Sequence, residues 1–78
     1  MHRILSVTPK ENFHLQLRFE DGKIKTVDCT SFIGQGMGAP LLDVNYFNQV
    51  SLDPGGGITW PNGFDCCPNF LYDFNAME

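Results

Sequence analysis

The feature that most constrains the fold is a strict alternation of apolar and polar side chains over residues 13–19 (FHLQLRF). This is the period of a β-strand with one buried face. Glu20-Asp21-Gly22-Lys23 follows, and an Asp-Gly pair favours the positive φ angles of a tight hairpin. The sequence therefore predicts that residues 13–19 and 24–29 pair antiparallel through a turn at Asp21-Gly22.

The returning strand does not keep a clean alternation. Ile24 and Thr26 share one face, whereas Val27 and Cys29 share the other. This pattern predicts either a β-bulge near Lys25-Thr26 or burial on both faces. A two-residue loop at Asp21-Gly22 would place Cys29 across the hairpin from His14.

Two further elements complete the first half of the chain. Residues 3–7 read as a strand that ends at Thr8-Pro9, which predicts a three-stranded antiparallel meander. Residues 31–38 contain three glycines and no periodicity, and are expected to be an irregular connection. Asp43 is the expected N-cap of a short helix of about two turns that reaches Val50.

The second half predicts a hairpin, a turn and a helix. Residues 51–53 and 58–60 are two short strands, separated by Pro54 and three glycines that we interpret as a flexible connection. Trp60-Pro61-Asn62-Gly63 has the proline and glycine positions of a type I turn. Pro68 suits the first position of a last helix, and the apolar stripe of that helix consists of Phe70, Leu71 and Phe74.

These elements predict one α+β domain over residues 1–78, a small two-layer sandwich. Its parts are an antiparallel three-stranded meander, a short helix, a second short hairpin and a C-terminal short helix. The formal net charge of −4 opposes direct nucleic-acid binding. All five basic residues lie in the first third of the chain. They form either a local basic patch on one hairpin or a solvated face of a strand. Without a long apolar run we expect no membrane contact and a cytoplasmic location.

The residue types needed for catalysis are sparse. The chain has three cysteines and two histidines, with no spacing typical of a metal site, so reduced thiols and no metal are expected. The one nucleophile and base pair that merits testing is Cys29 with His14. Neither glycine-rich segment has the spacing of a phosphate-binding loop. We therefore predict no enzyme activity, no catalytic residue and no cofactor.

Aromatic side chains concentrate near the end of the chain. Core packing is their usual role, but a chain of 78 residues has limited core volume. Some of this aromatic surface could instead form a protein contact. The residues concerned are Trp60, Phe64, Phe70, Tyr72 and Phe74.

The chain resembles a bacterial family known as domain of unknown function twenty-four forty-two, from Ile4 to about Tyr72. The matching segments are residues 17–22 (LRFEDG), residues 39–43 (APLLD) with Phe47, and residues 60–65 (WPNGFD) with Pro68 and Leu71. The resemblance implies a compact α+β fold with no established catalytic residues. It also implies that some relatives carry a helix-turn-helix domain or are encoded beside a small partner, as in toxin-antitoxin pairs.

The leading hypothesis is a non-catalytic interaction or regulatory module, such as the antitoxin-like member of a gene pair. Its acidic charge would suit a small basic partner protein encoded nearby. The alternatives are a structural homo-oligomer and, with less support, a small-ligand-binding protein or enzyme. The residues expected to have a structural or interaction role are Trp60, Pro61, Asn62, Gly63, Asp65 and Tyr72.

Overall fold

The first sheet is a three-stranded antiparallel meander. The computed structural model describes residues 2–34 and 36–74, and its first strands are β1 (Ile4–Lys10), β2 (His14–Phe19) and β3 (Ile24–Asp28) in the order β1-β2-β3. The predicted meander is confirmed. β1 extends beyond Thr8-Pro9, where the sequence predicted its end, because an edge strand tolerates a proline.

The alternation of β2 matches its burial. Leu15, Leu17 and Phe19 are fully buried, while the polar residues between them lie on the outer face of the sheet. The predicted core face of this strand is confirmed.

The turn between β2 and β3 is one residue longer than expected. The Phe19 amide donates to the Lys23 carbonyl at 2.8 Å and the Gly22 amide donates to the Phe19 carbonyl at 2.9 Å. Gly22 has a φ of +93°, as expected for the last residue of a three-residue hairpin loop. The register therefore places His14 opposite Asp28, so the expected pairing of His14 with Cys29 is wrong.

The irregular apolar pattern of β3 arises neither from a β-bulge nor from burial on both faces. Its pairing with β2 is continuous from Ile24 to Asp28, and the Ile24 side chain is 62% exposed, so both the bulge and the two-sided burial are wrong. Lys25 instead occupies the core-facing position opposite Leu17. The Lys25 ammonium reaches the Tyr72 carbonyl at 2.7 Å, and burial lowers the pKa of this lysine.

The turn between β1 and β2 contains an unusual backbone conformation. Asn12 and Phe13 have φ angles of +56° and +60°, and such an angle is uncommon for a bulky residue. The Phe13 ring packs edge-on against Phe47 with 5.3 Å between centroids. This contact anchors the turn to the core, because Phe47 is fully buried.

The second sheet contains β4 (Ser51–Leu52), β5 (Ile58–Thr59) and β6 (Asp65–Cys66), paired antiparallel in that order. The predicted hairpin of β4 and β5 is confirmed. β6 was not predicted, although the turn after Trp60 returns the chain alongside β5. Gly56 links the two sheets, because its carbonyl accepts the Ile4 amide at 2.8 Å.

Two short helices join these sheets. α1 (Val44–Phe47) begins after Asp43, whose side chain accepts the Asn45 amide at 3.0 Å. The predicted cap is confirmed, but the helix ends before Val50. α2 (Pro68–Asp73) begins at Pro68 as predicted. Part of the connection expected to be irregular forms 3-10 turns, at Cys29–Ser31 and Gly36–Leu42.

One hydrophobic core lies between these elements and receives side chains from both sheets and both helices. This arrangement confirms the predicted α+β two-layer fold. The buried apolar residues are Ile4, Leu15, Leu17, Phe19, Val27, Cys29, Ile33, Leu41, Phe47, Ile58, Trp60, Cys66 and Leu71.

Candidate functional site

Trp60 lies in the core rather than on a contact surface. Its side chain is 2% exposed, and its indole N–H donates to the Phe47 carbonyl at 2.9 Å. The ring packs against Phe47 and Phe64, with centroid distances of 5.9 and 5.7 Å. A tryptophan whose only polar atom is paired can be buried at little cost.

The residues after Trp60 build a turn of the same type as the β2–β3 turn. The Trp60 amide donates to the Phe64 carbonyl, the Gly63 amide donates to the Trp60 carbonyl, and both bonds are 2.9 Å long. The Asn62 side chain accepts the Phe64 amide at 3.0 Å, and Gly63 has a φ of +92°. Pro61 lies exposed in the loop, where its fixed φ suits the turn.

Asp65 follows this turn on an exposed position of β6, opposite Thr59. Its negative charge, after burial, contributes to raising the pKa of the Cys66 thiol to about 12. Asp65 and Asp53 line a shallow hollow of about 200 Å³ beside Cys67 and Pro68. The Asp65 carboxylate is therefore accessible from solvent.

Tyr72 belongs to a different group, which we call the Tyr72 cluster and which joins α2 to the first sheet. The Tyr72 hydroxyl donates to Asp21 Oδ2 at 2.6 Å. Its ring stacks on the His2 imidazole, with 3.6 Å between centroids and 7° between planes. The Lys23 ammonium lies 4.4 Å from the ring centroid, and Lys25 completes the cluster through the Tyr72 carbonyl.

The sequence predicts a structural or interaction role for Tyr72, but not its contacts with the residues around it. His2 and the β2–β3 turn are far from α2 along the chain, and no local pattern connects them. The lysine in β3 was the available signal, because a half-buried ammonium requires a partner. That partner is the end of α2.

The aromatic residues late in the chain divide between core and surface. Leu71 points into the core and is fully buried, whereas Phe70 on the same helix is 46% exposed. Phe70 and Phe74 have their ring centroids 5.1 Å apart, and both contact Phe32 edge-on at 5.7 and 5.4 Å. We call Phe32, Phe70 and Phe74 the α2 aromatic patch. Since the other two rings are half-buried, Phe70 is the most exposed ring of the patch.

Two of the three cysteines lack the surroundings of a catalytic nucleophile. All three are free, and Cys29 and Cys66 are buried. Burial, above all, raises the pKa of Cys29 far beyond its ordinary value. The His14 ring nitrogen Nδ1 lies 3.1 and 3.0 Å from the carbonyls of Glu11 and Asn12. The hypothesis that Cys29 and His14 form a nucleophile and base pair is therefore wrong, because His14 lies opposite Asp28 and the Cys29 thiol is not acidic enough to ionise.

Within 2–34 and 36–74, no three His, Cys, Asp or Glu side chains lie together as metal binding would require. In the same part of the chain no helix has the length and apolar character needed to cross a bilayer.

The fold and these sites define a small α+β protein with two antiparallel sheets and a partly exposed aromatic helix. A model of a family of proteins of unknown function, DUF2442, matches residues 4–75. The chain belongs to this family, as the resemblance indicated. A search of curated proteins and a search of solved structures gave no match.

Proposed function

We propose that this protein is a non-catalytic protein-interaction or regulatory module whose contact surface is the α2 aromatic patch. The main observation that supports this proposal is the exposure of Phe70, because 46% of this residue remains accessible on the short helix α2. Aromatic side chains supply large contact areas at low conformational cost, and clustered exposed rings mark interaction sites. The Tyr72 cluster supports the proposal, because it fixes the orientation in which α2 presents this ring.

The partner in this proposal is a basic protein. Residues 26–78 contain six acidic residues and no lysine or arginine, so this part of the chain carries a net negative charge. Complementary potentials speed association and exclude partners of like charge. A small basic protein encoded nearby, as in an antitoxin-like role in the cytoplasm, has the matching chemistry.

Capture from the native cell tests the proposal with one variant and one matched control. Phe70→Ser removes the exposed ring, and Leu52→Ser removes an apolar side chain of similar exposure, 44%, on the second sheet. We expect the wild type and Leu52→Ser to retain the same basic protein by mass spectrometry, and Phe70→Ser to lose it. Urea unfolding verifies that both variants fold.

Equal capture by all three proteins would place the contact surface elsewhere. Loss of the partner in both variants, with both folded, would show that capture depends on nonspecific apolar contact. Either result contradicts the role of the patch.

A further inference from the structure

The outer face of the first sheet carries a small polar hollow that the proposed function does not use. Arg18 lies on the middle strand, directly between Ser6 of β1 and Ile24 of β3. With Thr8 and Gln16, these residues line a hollow of about 210 Å³. The hydroxyl residues Ser6 and Thr8 and the amide residue Gln16 therefore share this hollow with Arg18.

Arg18 has no charged partner among the residues that the structure describes. The side chain is exposed, and no carboxylate among residues 2–34 and 36–74 forms an ion pair with it. A guanidinium binds a carboxylate through two parallel hydrogen bonds, and neighbouring hydroxyls can donate further bonds to the same group. The hollow is smaller than typical small-molecule pockets of roughly 300–1,000 Å³, but it can accept the head of one acidic side chain.

A complementary hollow lies on the second sheet. It measures about 200 Å³ and contains Asp53 and Asp65. The Asp53 carboxylate already accepts the Gly55 amide at 2.8 Å, whereas the Asp65 carboxylate makes no hydrogen bond within the described residues. Asp65 is thus the accessible acid of this hollow.

We propose that the two hollows bind each other between copies of this chain, with Arg18 of one copy pairing with Asp65 of the next. Charge complementarity identifies a second copy as the occupant. The first 25 residues contain five basic and three acidic residues, while the remainder contains six acidic and no basic ones. Each copy therefore presents both halves of the contact, and association requires no other molecule.

The geometry makes this contact heterologous, since the two hollows lie on different sheets of one molecule. Heterologous contacts form a closed ring when the rotation closes, and otherwise extend as an open chain. The contact is small, so its dissociation constant is expected on the order of 1 mM in about 0.1 M salt.

Sedimentation velocity of the purified full chain tests the proposal. In about 0.1 M salt, the Debye length of about 10 Å screens the repulsion between copies of net charge −4 but leaves a direct ion pair largely intact, so the weight-average mass should rise with protein concentration. In about 1 M salt it should return to the 8.8 kDa monomer. A wild type that stays monomeric at millimolar concentration in about 0.1 M salt overturns the proposal.

Charge reversal identifies the two contact partners. Arg18→Glu and Asp65→Lys should each weaken self-association at least ~tenfold, and an equimolar mixture of the two variants should regain it. Lys10→Glu and Glu20→Lys change the net charge equally at exposed positions outside both hollows, and they should associate like the wild type. Circular dichroism establishes that each variant is folded.

Two results would overturn the assignment of these residues. Undiminished association of either single variant would remove that residue from the contact. Failure of the mixture to recover, with both variants folded, would show that Arg18 and Asp65 do not face each other.

Discussion

The Tyr72 hydroxyl donates a 2.6 Å hydrogen bond to Asp21 Oδ2, across 51 residues of sequence. This bond lowers the pKa of Asp21 from its ordinary 3.8 and raises the pKa of Tyr72 from its ordinary 10.0. For both groups it is the largest cause of the shift. It therefore ties α2 to the β2–β3 turn in a manner that depends on pH.

The direction of that dependence follows from the two shifts. A carboxylate with a lowered folded pKa stabilises the fold above its ordinary pKa, and that contribution is lost as pH falls through the folded value. A phenol with a raised folded pKa stabilises the fold below its ordinary pKa, and that contribution is lost as pH rises through the folded value. The bond should therefore stabilise the folded protein at pH values between the ordinary pKa of Asp21, 3.8, and the ordinary pKa of Tyr72, 10.0.

Tyr72→Phe should lower the urea midpoint at neutral pH, because it removes the hydroxyl and keeps the ring on His2 and Phe19. The difference from wild type should shrink at about pH 2.5, below the ordinary pKa of 3.8, as the Asp21 carboxylate takes up its proton. Tyr46→Phe removes the other tyrosine hydroxyl of the chain and serves as the control, with an unchanged midpoint. A difference that is equal at both pH values would show that the hydroxyl acts without Asp21.

Trp60→Ala should leave the protein largely unfolded. Truncation of a buried tryptophan typically costs about 3–5 kcal/mol, comparable to the whole stability of a domain of this size. Asn62→Ala should cost about 0.5–2 kcal/mol, since it removes one side-chain cap on a turn amide. Urea unfolding compares the two. A folded Trp60→Ala protein with an unchanged midpoint that no longer captures a partner would place Trp60 in an interface.

Gly57→Ala should destabilise the second sheet through direct overlap. A Cβ at Gly57 would overlap the Cys66 carbonyl oxygen and lie 3.1 Å from the Pro68 ring, so β6 would have to move. We expect a loss of about 3 kcal/mol or more. Gly22→Ala is the comparison, because a Cβ there meets nothing within 4 Å and adds only the strain of its positive φ, about 1 kcal/mol. Equal urea midpoints for Gly57→Ala and Gly22→Ala would contradict the expected overlap at Gly57.

The sequence predicted those elements whose signals are local. The alternation that buries Leu15, Leu17 and Phe19 lies within one strand, and the Asp43 cap acts two residues away. The Gly63 turn is likewise contained in a few residues. Such signals depend on backbone geometry alone, so they survive without knowledge of the tertiary fold.

The missed features depend on contacts between distant segments or on a single residue of loop length. β6 contains two residues, too few to show a period. One extra residue in the β2–β3 loop moved the partner of His14 from Cys29 to Asp28, because a one-residue shift exchanges the faces of a strand. The contact between Lys25 and Tyr72 spans 47 residues, so the composition of the Tyr72 cluster was beyond any local pattern.

The accessibility of the three cysteines differs in a way that labelling can measure. Cys67 is exposed at the N-cap of α2, while Cys29 and Cys66 are buried. Burial is the main cause that raises the pKa of Cys66 to about 12 and that of Cys29 further. Since the thiolate is the reactive form, both buried thiols should be inert in the folded protein.

A disulfide reagent at neutral pH should therefore label one of the three thiols rapidly in the folded protein, and all three after unfolding. Cys67→Ser should abolish the rapid phase and leave the urea midpoint nearly unchanged, because the Cys67 side chain caps no amide of α2. Cys66→Ser should keep the rapid phase and lower the midpoint, since it places a hydroxyl in the core. Rapid labelling of two thiols in the folded wild type would mean that the β6 strand opens to solvent on the timescale of the reaction.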